Sequence, residues 1–349
     1  KEKFSNPLEP VRTRFAPSPT GYLHFGSLRT ALFNYLLAKA TKGTFILRIE
    51  DTDQSRLIPD AEQNIIKTLR WCGLDFDEGP TQGGNYGPYK QSERTQIYEK
   101  YINQLLENKK VYRCFCSKER LNGLTESAKL LQPPTNVSYD RHCADISIEE
   151  SNKRAQNNES YTIRFKSPEI YPVLDDVLHG KVNLQPQVNY DDRRYDDPIL
   201  IKSDGLPTYH FACVIDDHLM KITHVIRGEE WLPSTPKHIA LYKAFGWNPP
   251  KFVHVPLLTT LSNRKLSKRH KDSDILSLKN TGYLPEAIVN FIALLGSGVS
   301  TVENNIHKAK DILPLDYLQE KFKLNKLSRC NIKIEPTKLD FLNIFYLRE

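Results

Sequence analysis

The chain has 349 residues, of which 39% are hydrophobic and 26% are charged, so it can bury a sizeable core and divide into two or three domains. Its 49 lysines and arginines against 42 aspartates and glutamates give a net charge of +7, which is compatible with a polyanionic partner without requiring one. No run of about 18 apolar residues occurs, which excludes a typical membrane-spanning helix. Six scattered cysteines do not form a disulfide framework in a chain of this size and favour a reducing compartment.

The first predicted elements are a strand over Val11 to Ala16 and a helix with Ser27 as its predicted cap. A turn rich in proline and glycine joins them. A strand, a turn and a helix in succession present backbone N–H groups and the positive end of the helix dipole to an anion such as a phosphate. His24 offers a hydrogen bond to a phosphate oxygen, and Gly26 permits close approach. An ordinary turn with an exposed histidine has the same local pattern.

The next predicted strand, Thr44 to Ile49, completes a βαβ unit. Such a unit is right-handed and its strands are parallel, so both strands end at the same edge of the sheet. We therefore expect Glu50, Asp51 and Asp53 to lie at the same edge as His24.

The rest of the chain alternates between helical and strand patterns. We predict helices over residues 61–72, 98–108 and 236–245, and short strands over 111–115, 161–165, 175–182, 198–202, 211–215, 222–225 and 252–258. The polar stretch up to Tyr161 predicts an insertion within the α/β fold. From Asp274 onward the segments are helical, and Pro285 begins one of these helices.

Three cysteines, Cys114, Cys116 and Cys143, suggest a metal site. Three thiolates and one further ligand complete a tetrahedral zinc site, and His142 or Asp145 is a candidate for the fourth ligand. A Cys-x-Cys pair is equally compatible with buried cysteines on a strand, so the sequence leaves both interpretations open.

A set of short motifs occurs in a fixed order along the chain. They are APSPTG (16–21), HFGS (24–27), RIEDTD (48–53), GP (79–80), YKQSER (89–94), VIRGEEW (225–231) and KLSKR (265–269). Together they resemble the signatures of glutamyl-tRNA synthetases, a class I aminoacyl-tRNA synthetase family, in its bacterial or mitochondrial form. The motif around His24 is similar to the HIGH signature, and residues 265–269 are similar to the KMSKS loop in a variant form. The resemblance extends from about Val11 to the end of the chain.

The resemblance implies an α/β fold with a Rossmann-like parallel-sheet catalytic domain, an α+β insertion that binds the tRNA acceptor end, and a helical stem-contact domain. On this basis we predict a first catalytic half over 1–94, the insertion over 95–205, a second catalytic half over 206–262, and the KMSKS-type loop with the stem-contact domain over 263–349. The family continues into a helical anticodon-binding domain, for which the sequence up to Glu349 leaves no room.

The resemblance implies a glutamate-tRNA ligase that uses ATP and Mg²⁺. The glutamate carboxylate attacks the α-phosphate of ATP to give glutamyl-adenylate and pyrophosphate, and the acyl group then passes to the 3′-terminal adenosine of tRNA(Glu). Neither step needs a protein nucleophile, so catalysis rests on positioning and electrostatic stabilisation.

The site residues carried over from the family fall into three groups. The catalytic residues are His24, Lys265 and Lys268. The ATP-binding residues are Gly26, Ser27, Glu230, Leu258, Lys265, Leu266, Ser267, Lys268 and Arg269. The glutamate-binding residues are Arg14, Phe15, Ala16, Ser18, Glu50, Tyr209, Cys213 and Arg227. By composition alone the basic loop has the pattern of a solvated surface loop or a non-specific phosphate patch, as most basic runs do.

An acidic substrate requires cationic partners, and Arg14 and Arg227 fit that need. Either arginine is alternatively a salt-bridge partner of Asp51 or Glu229. The chain departs from the family at Cys213, where some members carry asparagine. It also lacks the second member of the family's later Cys-x-His zinc pair after Cys143.

The sequence leaves two alternative functions: a glutamyl-queuosine tRNA synthetase and a catalytically inactive tRNA-binding protein. The intact basic loop argues against the first, and joint retention of both signatures argues against the second. We expect a monomer without membrane attachment. The lysine- and asparagine-rich composition, the single methionine, the lack of an initiator methionine and the bacterial-type motifs predict the mitochondrial matrix, with the bacterial cytoplasm as the alternative.

Overall fold

The computed structural model describes residues 5–259, 274–300 and 311–349. The strands are β1 (Arg12–Phe15), β2 (Thr44–Leu47), β3 (Val111–Cys114), β4 (Thr162–Phe165), β5 (Leu174–Asp176), β6 (Gly180–Val182), β7 (Ile199–Ile201), β8 (His224–Gly228), β9 (Lys251–Val255), β10 (Leu258–Thr259) and β11 (Ile332–Lys333). The helices are α1 (Phe25–Ala40), α2 (Ala61–Trp71), α3 (Thr95–Glu107), α4 (Lys118–Leu130), α5 (Ile148–Gln156), α6 (Tyr209–Leu219), α7 (Thr235–Phe245), α8 (Ile275–Asn280), α9 (Pro285–Ala293), α10 (Leu315–Lys321) and α11 (Pro336–Leu347).

The predicted βαβ unit is confirmed. Strands β1 and β2 pair in parallel, in the register Arg12↔Thr44 to Phe15↔Leu47, with α1 as the connection. Helix α1 is buried along most of its length. Gly43 permits the return into β2, since a Cβ there would lie 2.0 Å from the carbonyl oxygen of Val11. The two strands therefore end together, beside the start of α1.

A second sheet, in the order β6-β5-β9-β8, extends the parallel arrangement. Strand β9 pairs in parallel with β8 and with β5, and the β5–β6 pair is antiparallel. The backbone N–H of Thr223, just before β8, donates to the carbonyl of Arg12 in β1 at 2.9 Å. The mixed α/β fold with parallel sheet elements that the sequence predicts is confirmed.

The predicted strand over residues 211–215 is wrong: this segment lies within helix α6. All five residues are buried, so the sequence shows neither the two-residue period of a strand nor the 3.6-residue period of a helix. Apolar runs of this length do not distinguish a buried strand from a buried helix. The difference matters because α6 carries Tyr209 and Cys213, two of the predicted glutamate-binding residues.

The inserted region has its own antiparallel sheet, in the order β3-β4-β7. Helices α4 and α5 follow β3 and precede β4. Strands β5 and β6 lie within the predicted insertion, yet β5 pairs with β9, which lies in the predicted second catalytic half. The domain boundaries themselves remain a prediction.

The C-terminal part is helical, as predicted, and packs directly on α1. Buried residues of α9, α10 and α11 join those of α1 in one core, where the rings of Phe25 and Phe291 meet edge to face with centroids 5.5 Å apart. Within the described ranges, none of the helices is long and apolar enough to cross a bilayer.

Candidate active site

His24 is the N-cap of α1, so the prediction of Ser27 as the cap is wrong. The Nδ1 atom of His24 accepts hydrogen bonds from the backbone N–H groups of Gly26 and Ser27 at 3.1 and 3.4 Å, and Ser27 Oγ accepts from the His24 N–H at 3.0 Å. This is a capping box in which the imidazole replaces the usual hydroxyl or carboxylate. Because Nδ1 is the acceptor, the neutral ring carries its proton on Nε2, where it can donate to a phosphate oxygen.

Gly26 serves the histidine ring directly. A Cβ at this position would lie 3.1 Å from Cε1 and 3.3 Å from Nδ1 of His24, tighter than most real contacts of a Cβ atom. The sequence predicted that a ligand would come close to Gly26. In the structure, the ring of His24 takes the space beside this glycine.

Arg14 does not pair with Asp51 or Glu229, the partners considered from the sequence. It lies at the end of β1 and forms a buried two-point ion pair with Asp217 of α6, at 2.9 and 3.2 Å. Arg48 donates to the same carboxylate at 2.7 Å and to Glu50 at 3.2 Å. Burial opposes ionisation of Asp217, but the two guanidiniums outweigh it and hold the pKa of its carboxyl below the usual range.

Glu50 follows β2 and lies beside this cluster, at the edge where β1 and β2 end. Its Oε2 atom accepts from Arg48 and, at 3.1 Å, from Gln91. Burial raises the pKa of the Glu50 carboxyl, and the arginines only partly offset that. Among the described residues Oε1 makes no hydrogen bond, so this oxygen can accept from a ligand's ammonium group.

Arg227 of β8 is buried among neutral acceptors. Nε donates to His254 Nε2 at 3.1 Å, Nη1 donates to the Tyr209 hydroxyl at 3.0 Å, and Nη2 donates to Thr235 Oγ1 at 2.9 Å. Nη2 also lies 3.2 Å from His238 Nδ1. No carboxylate of the described chain forms an ion pair with it. A buried cation without a counter-ion favours an anionic ligand.

Cys213 lies between the two arginines. Its Sγ atom is 3.8 Å from Nη2 of Arg14 and 3.8 Å from Nη1 of Arg227. Burial raises the pKa of the thiol to about 11, so it is neutral at physiological pH. Tyr209, one turn earlier on α6, stacks on Trp231 with ring centroids 4.1 Å apart. Two guanidiniums, a phenol and a neutral thiol thus lie in contact with one another.

Behind Arg227, His254 of β9 pairs with Asp176 of β5. The Nδ1 atom of His254 lies 2.6 Å from Asp176 Oδ2, which also accepts the backbone N–H of His254 at 3.1 Å. Burial lowers the pKa of His254 to about 4, against the opposing effect of Asp176. The ring is therefore neutral near pH 7.

Three more of the predicted glutamate-binding residues are Phe15 and Ala16, which have no polar side-chain atom, and Ser18, which has a hydroxyl. Phe15 is buried in the core, and its carbonyl accepts from the N–H of Arg48 at 2.9 Å. Ala16 is partly buried and Ser18 is exposed, in the turn that follows β1. These residues border the edge where β1 and β2 end.

On the predicted ATP side, Glu230 folds back over Gly228, where a Cβ would lie 2.1 Å from Glu230 Oε2. Leu258 is buried at the start of β10, so its side chain belongs to the core. The predicted residues Lys265, Leu266, Ser267, Lys268 and Arg269 lie outside the described residues.

The three predicted zinc ligands are brought together. The Sγ atoms of Cys114, Cys116 and Cys143 lie within 4.8 Å of one another. Neither His142 nor Asp145 belongs to this group. The hydroxyl of Tyr139 lies 3.2 Å from Cys114 Sγ and 3.6 Å from Cys116 Sγ, and Nη1 of Arg120 lies 3.5 Å from Cys116 Sγ. The fourth-ligand candidates named from the sequence are therefore not placed at the cluster.

Sequence reasoning missed the partners that hold the arginines, namely Asp217, Asp176, His254, Thr235 and His238. The adjacent acids 216 and 217 at the end of an apolar run were the available signal, because buried carboxylates require cationic partners. The other partners are distant in sequence and no local motif marks them.

Comparison with known proteins places this geometry in a family. A family profile described as the catalytic domain of class I tRNA synthetases (E and Q) matches residues 10–341. The mitochondrial glutamate-tRNA ligase of Saccharomyces cerevisiae is 57% identical over 99% of this chain, and the chain covers 62% of that protein. The glutamate-tRNA ligase of Alkaliphilus metalliredigens is 46% identical over 98% of this chain, which covers 68% of it.

A solved structure of a glutamate tRNA ligase from Elizabethkingia meningosepticum, in complex with its amino acid, is similar to this chain. The TM-score is 0.85 and the identity is 40%, over 97% of this chain and 70% of that one. The family profile, the relatives and the shared fold agree with the motif order. The chain belongs to the class I tRNA synthetases of the glutamate and glutamine type.

Proposed function

We propose that this chain is a glutamate-tRNA ligase, which activates L-glutamate with ATP and transfers it to the 3′-terminal adenosine of tRNA(Glu). The observation that carries the proposal is Arg227, a buried guanidinium with no carboxylate partner among the described residues. The carboxylate of a glutamate side chain would supply the missing counter-ion. The similarity to glutamate-tRNA ligases supports the same amino acid.

Binding of the substrate follows from the surrounding charges. Arg227 binds the side-chain carboxylate together with the hydroxyl of Tyr209, and Oε1 of Glu50 accepts from the α-ammonium group. Arg14, whose charge Asp217 already neutralises, shapes the wall beside Cys213. The thiol at that position keeps the wall neutral and small.

Activation requires charge stabilisation at the phosphates of ATP. The imidazole of His24 and the N-terminus of α1 are the groups proposed to bind the phosphates, and Lys265 and Lys268 are assigned from the sequence. Mg²⁺ would be carried by the ATP phosphates and would neutralise part of their charge. The described residues form no group of three carboxylates or histidines that would hold it independently.

The proposal also covers the oligomeric state, the tRNA partner and the location in the cell. The chain is proposed to act as a monomer on tRNA(Glu), with the insertion at the acceptor end. The mitochondrial matrix is the proposed location, supported by the mitochondrial yeast relative. The bacterial relatives keep the bacterial cytoplasm as the alternative.

Charging of total tRNA tests the proposal. The full chain should attach labelled glutamate, but neither glutamine nor aspartate, in an ATP-dependent reaction that the Lys268→Ala variant loses. Transfer RNA without its 3′-terminal adenosine should not be charged, whereas a queuosine-type ligase would still label it. Binding of tRNA without any charging would contradict the proposal and favour the inactive tRNA-binding protein.

We further propose that Cys114, Cys116 and Cys143 hold a structural zinc ion. The convergence of the three thiols within 4.8 Å supports this, since thiolates are the preferred ligands of structural zinc. The ion would join the end of β3 to the segment before α5.

The purified protein is expected to retain about one zinc ion per chain after dialysis, because a site with three thiolates binds the metal tightly. Elemental analysis by mass spectrometry measures this ratio. The Cys143→Ser variant should lose most of the metal, whereas Cys330→Ser, at an exposed and isolated cysteine, should keep it. The proposal would be contradicted if the purified natural chain contained no zinc and the Cys143→Ser variant had the same melting temperature as the natural chain.

A further inference from the structure

The two arginines of the site are held in opposite ways. Arg14 has a buried two-point ion pair with Asp217, so its charge is compensated. Arg227 is held by an imidazole, a phenol, a hydroxyl and a second imidazole, all neutral. Neutral acceptors fix a guanidinium without cancelling its charge, so Arg227 retains the charge needed to attract an anion.

Holding Arg227 in this way requires His254 to be an acceptor at Nε2. Arg227 Nε–H donates to that nitrogen at 3.1 Å, and the hydroxyl of Thr235 lies 3.0 Å from it. An imidazole has two tautomers, and only the one protonated at Nδ1 offers a lone pair at Nε2. Something must therefore select this tautomer.

Asp176 is placed to select it. Its Oδ2 atom lies 2.6 Å from His254 Nδ1, and both side chains are fully buried. Its other oxygen, Oδ1, accepts the backbone N–H groups of Leu178 and His179 at 2.9 and 3.0 Å, so the carboxylate cannot turn away. A carboxylate only accepts, so the imidazole must present N–H at Nδ1.

We propose that Asp176 and His254 form a positioning pair for the glutamate-binding arginine: Asp176 fixes the tautomer of His254, and His254 holds Nε of Arg227 without neutralising it. This inference rests on the proposed function. The negative charge of Asp176 lies one imidazole away from Arg227, so it does not compete directly with a substrate carboxylate. The pair acts on glutamate binding and leaves the ATP site untouched.

The Asp176→Asn variant reverses the tautomer. With the asparagine oxygen kept by the two backbone N–H groups, its amide donates to Nδ1, and the proton moves to Nε2, where it opposes the N–H of Arg227. We expect KM for glutamate to rise about 10- to 100-fold, the effect of losing a hydrogen bond to a charged group, with KM for ATP unchanged and kcat within about threefold.

Two substitutions at His254 form a matched pair, and they test the inference even if the Asp176→Asn variant fails to fold. Glutamine places a carbonyl oxygen near the former Nε2 and keeps an acceptor for Arg227, whereas leucine has similar bulk and no acceptor. We expect His254→Gln to retain a KM for glutamate within about threefold of the natural chain, and His254→Leu to raise it about 10- to 100-fold. The melting temperatures of the two variants show whether both are folded.

The outcomes separate the inference from the proposed function. If the natural chain charges no glutamate, the proposed function fails and the inference fails with it. If the natural chain charges glutamate but glutamine and leucine at position 254 have equal effects on KM, the positioning role is wrong. A rise in KM for ATP as large as that for glutamate would also overturn it, because this would indicate a general structural defect.

Discussion

Replacing Arg227 with glutamine is expected to lower kcat/KM for glutamate by roughly 10²- to 10³-fold, the largest effect on glutamate recognition that we predict. The substrate carboxylate would enter a buried site with its cationic partner removed, which costs several kcal/mol. Charging kinetics with varied glutamate measure the change, and most of it should appear in KM, since the lost contact exists before the transition state.

The Arg227→Lys variant is the matched control for charge. Lysine keeps the positive charge but cannot donate to His254, Tyr209 and Thr235 together, so an intermediate loss is expected. KM for ATP serves as the internal control. Unchanged glutamate kinetics in the glutamine variant would show that the substrate carboxylate binds elsewhere.

Replacing Asp217 with asparagine should produce the largest loss of stability, about 3–5 kcal/mol in the free energy of unfolding. Arg14 and Arg48 would remain buried without their shared counter-ion. The folded pKa of Asp217 lies below its unfolded value, so its contribution is present above the unfolded pKa and is lost as pH falls toward the folded pKa. The asparagine variant should lack this part of the acid dependence.

Urea denaturation near neutral pH and under acid conditions measures both effects. The control is Glu169→Gln, which removes an ion pair with Arg193 in which the glutamate side chain is 82% exposed. An exposed pair contributes about 0–1 kcal/mol, so this variant should remain close to the natural chain. Equal stability of the two variants would mean that the buried arginines find other partners.

The parts of the site that were predictable from sequence are those encoded within a few residues. The strand, turn and helix around His24 follow from local propensity and from the change of hydrophobic period. Glu50 could be placed at the same edge because parallel strands of a βαβ unit end together. The parallel pairing of the strands followed from this same unit, whereas the full fold class and the family came from the resemblance that the motifs carry.

The partners of the arginines were not predictable because they depend on contacts between distant segments. Reading residues 211–215 as a strand also removed α6, on which Tyr209, Cys213 and Asp217 lie on successive turns. In a strand the first and last of these would be about 26 Å apart, whereas in a helix they are about 12 Å apart. Only the helix lets one element line the site from Tyr209 to Asp217.

The ion pair between Arg14 and Asp217 has a consequence for the order of folding, since its members are 203 positions apart in the sequence. During synthesis, Arg14 and Arg48 leave the ribosome long before Asp217, and burying them without that carboxylate is unfavourable. The first βαβ unit is therefore expected to stay loosely packed until α6 has been made. Nascent chains that end before Asp217 should be open to proteases and dependent on chaperones, and those that end well beyond α6 should become resistant.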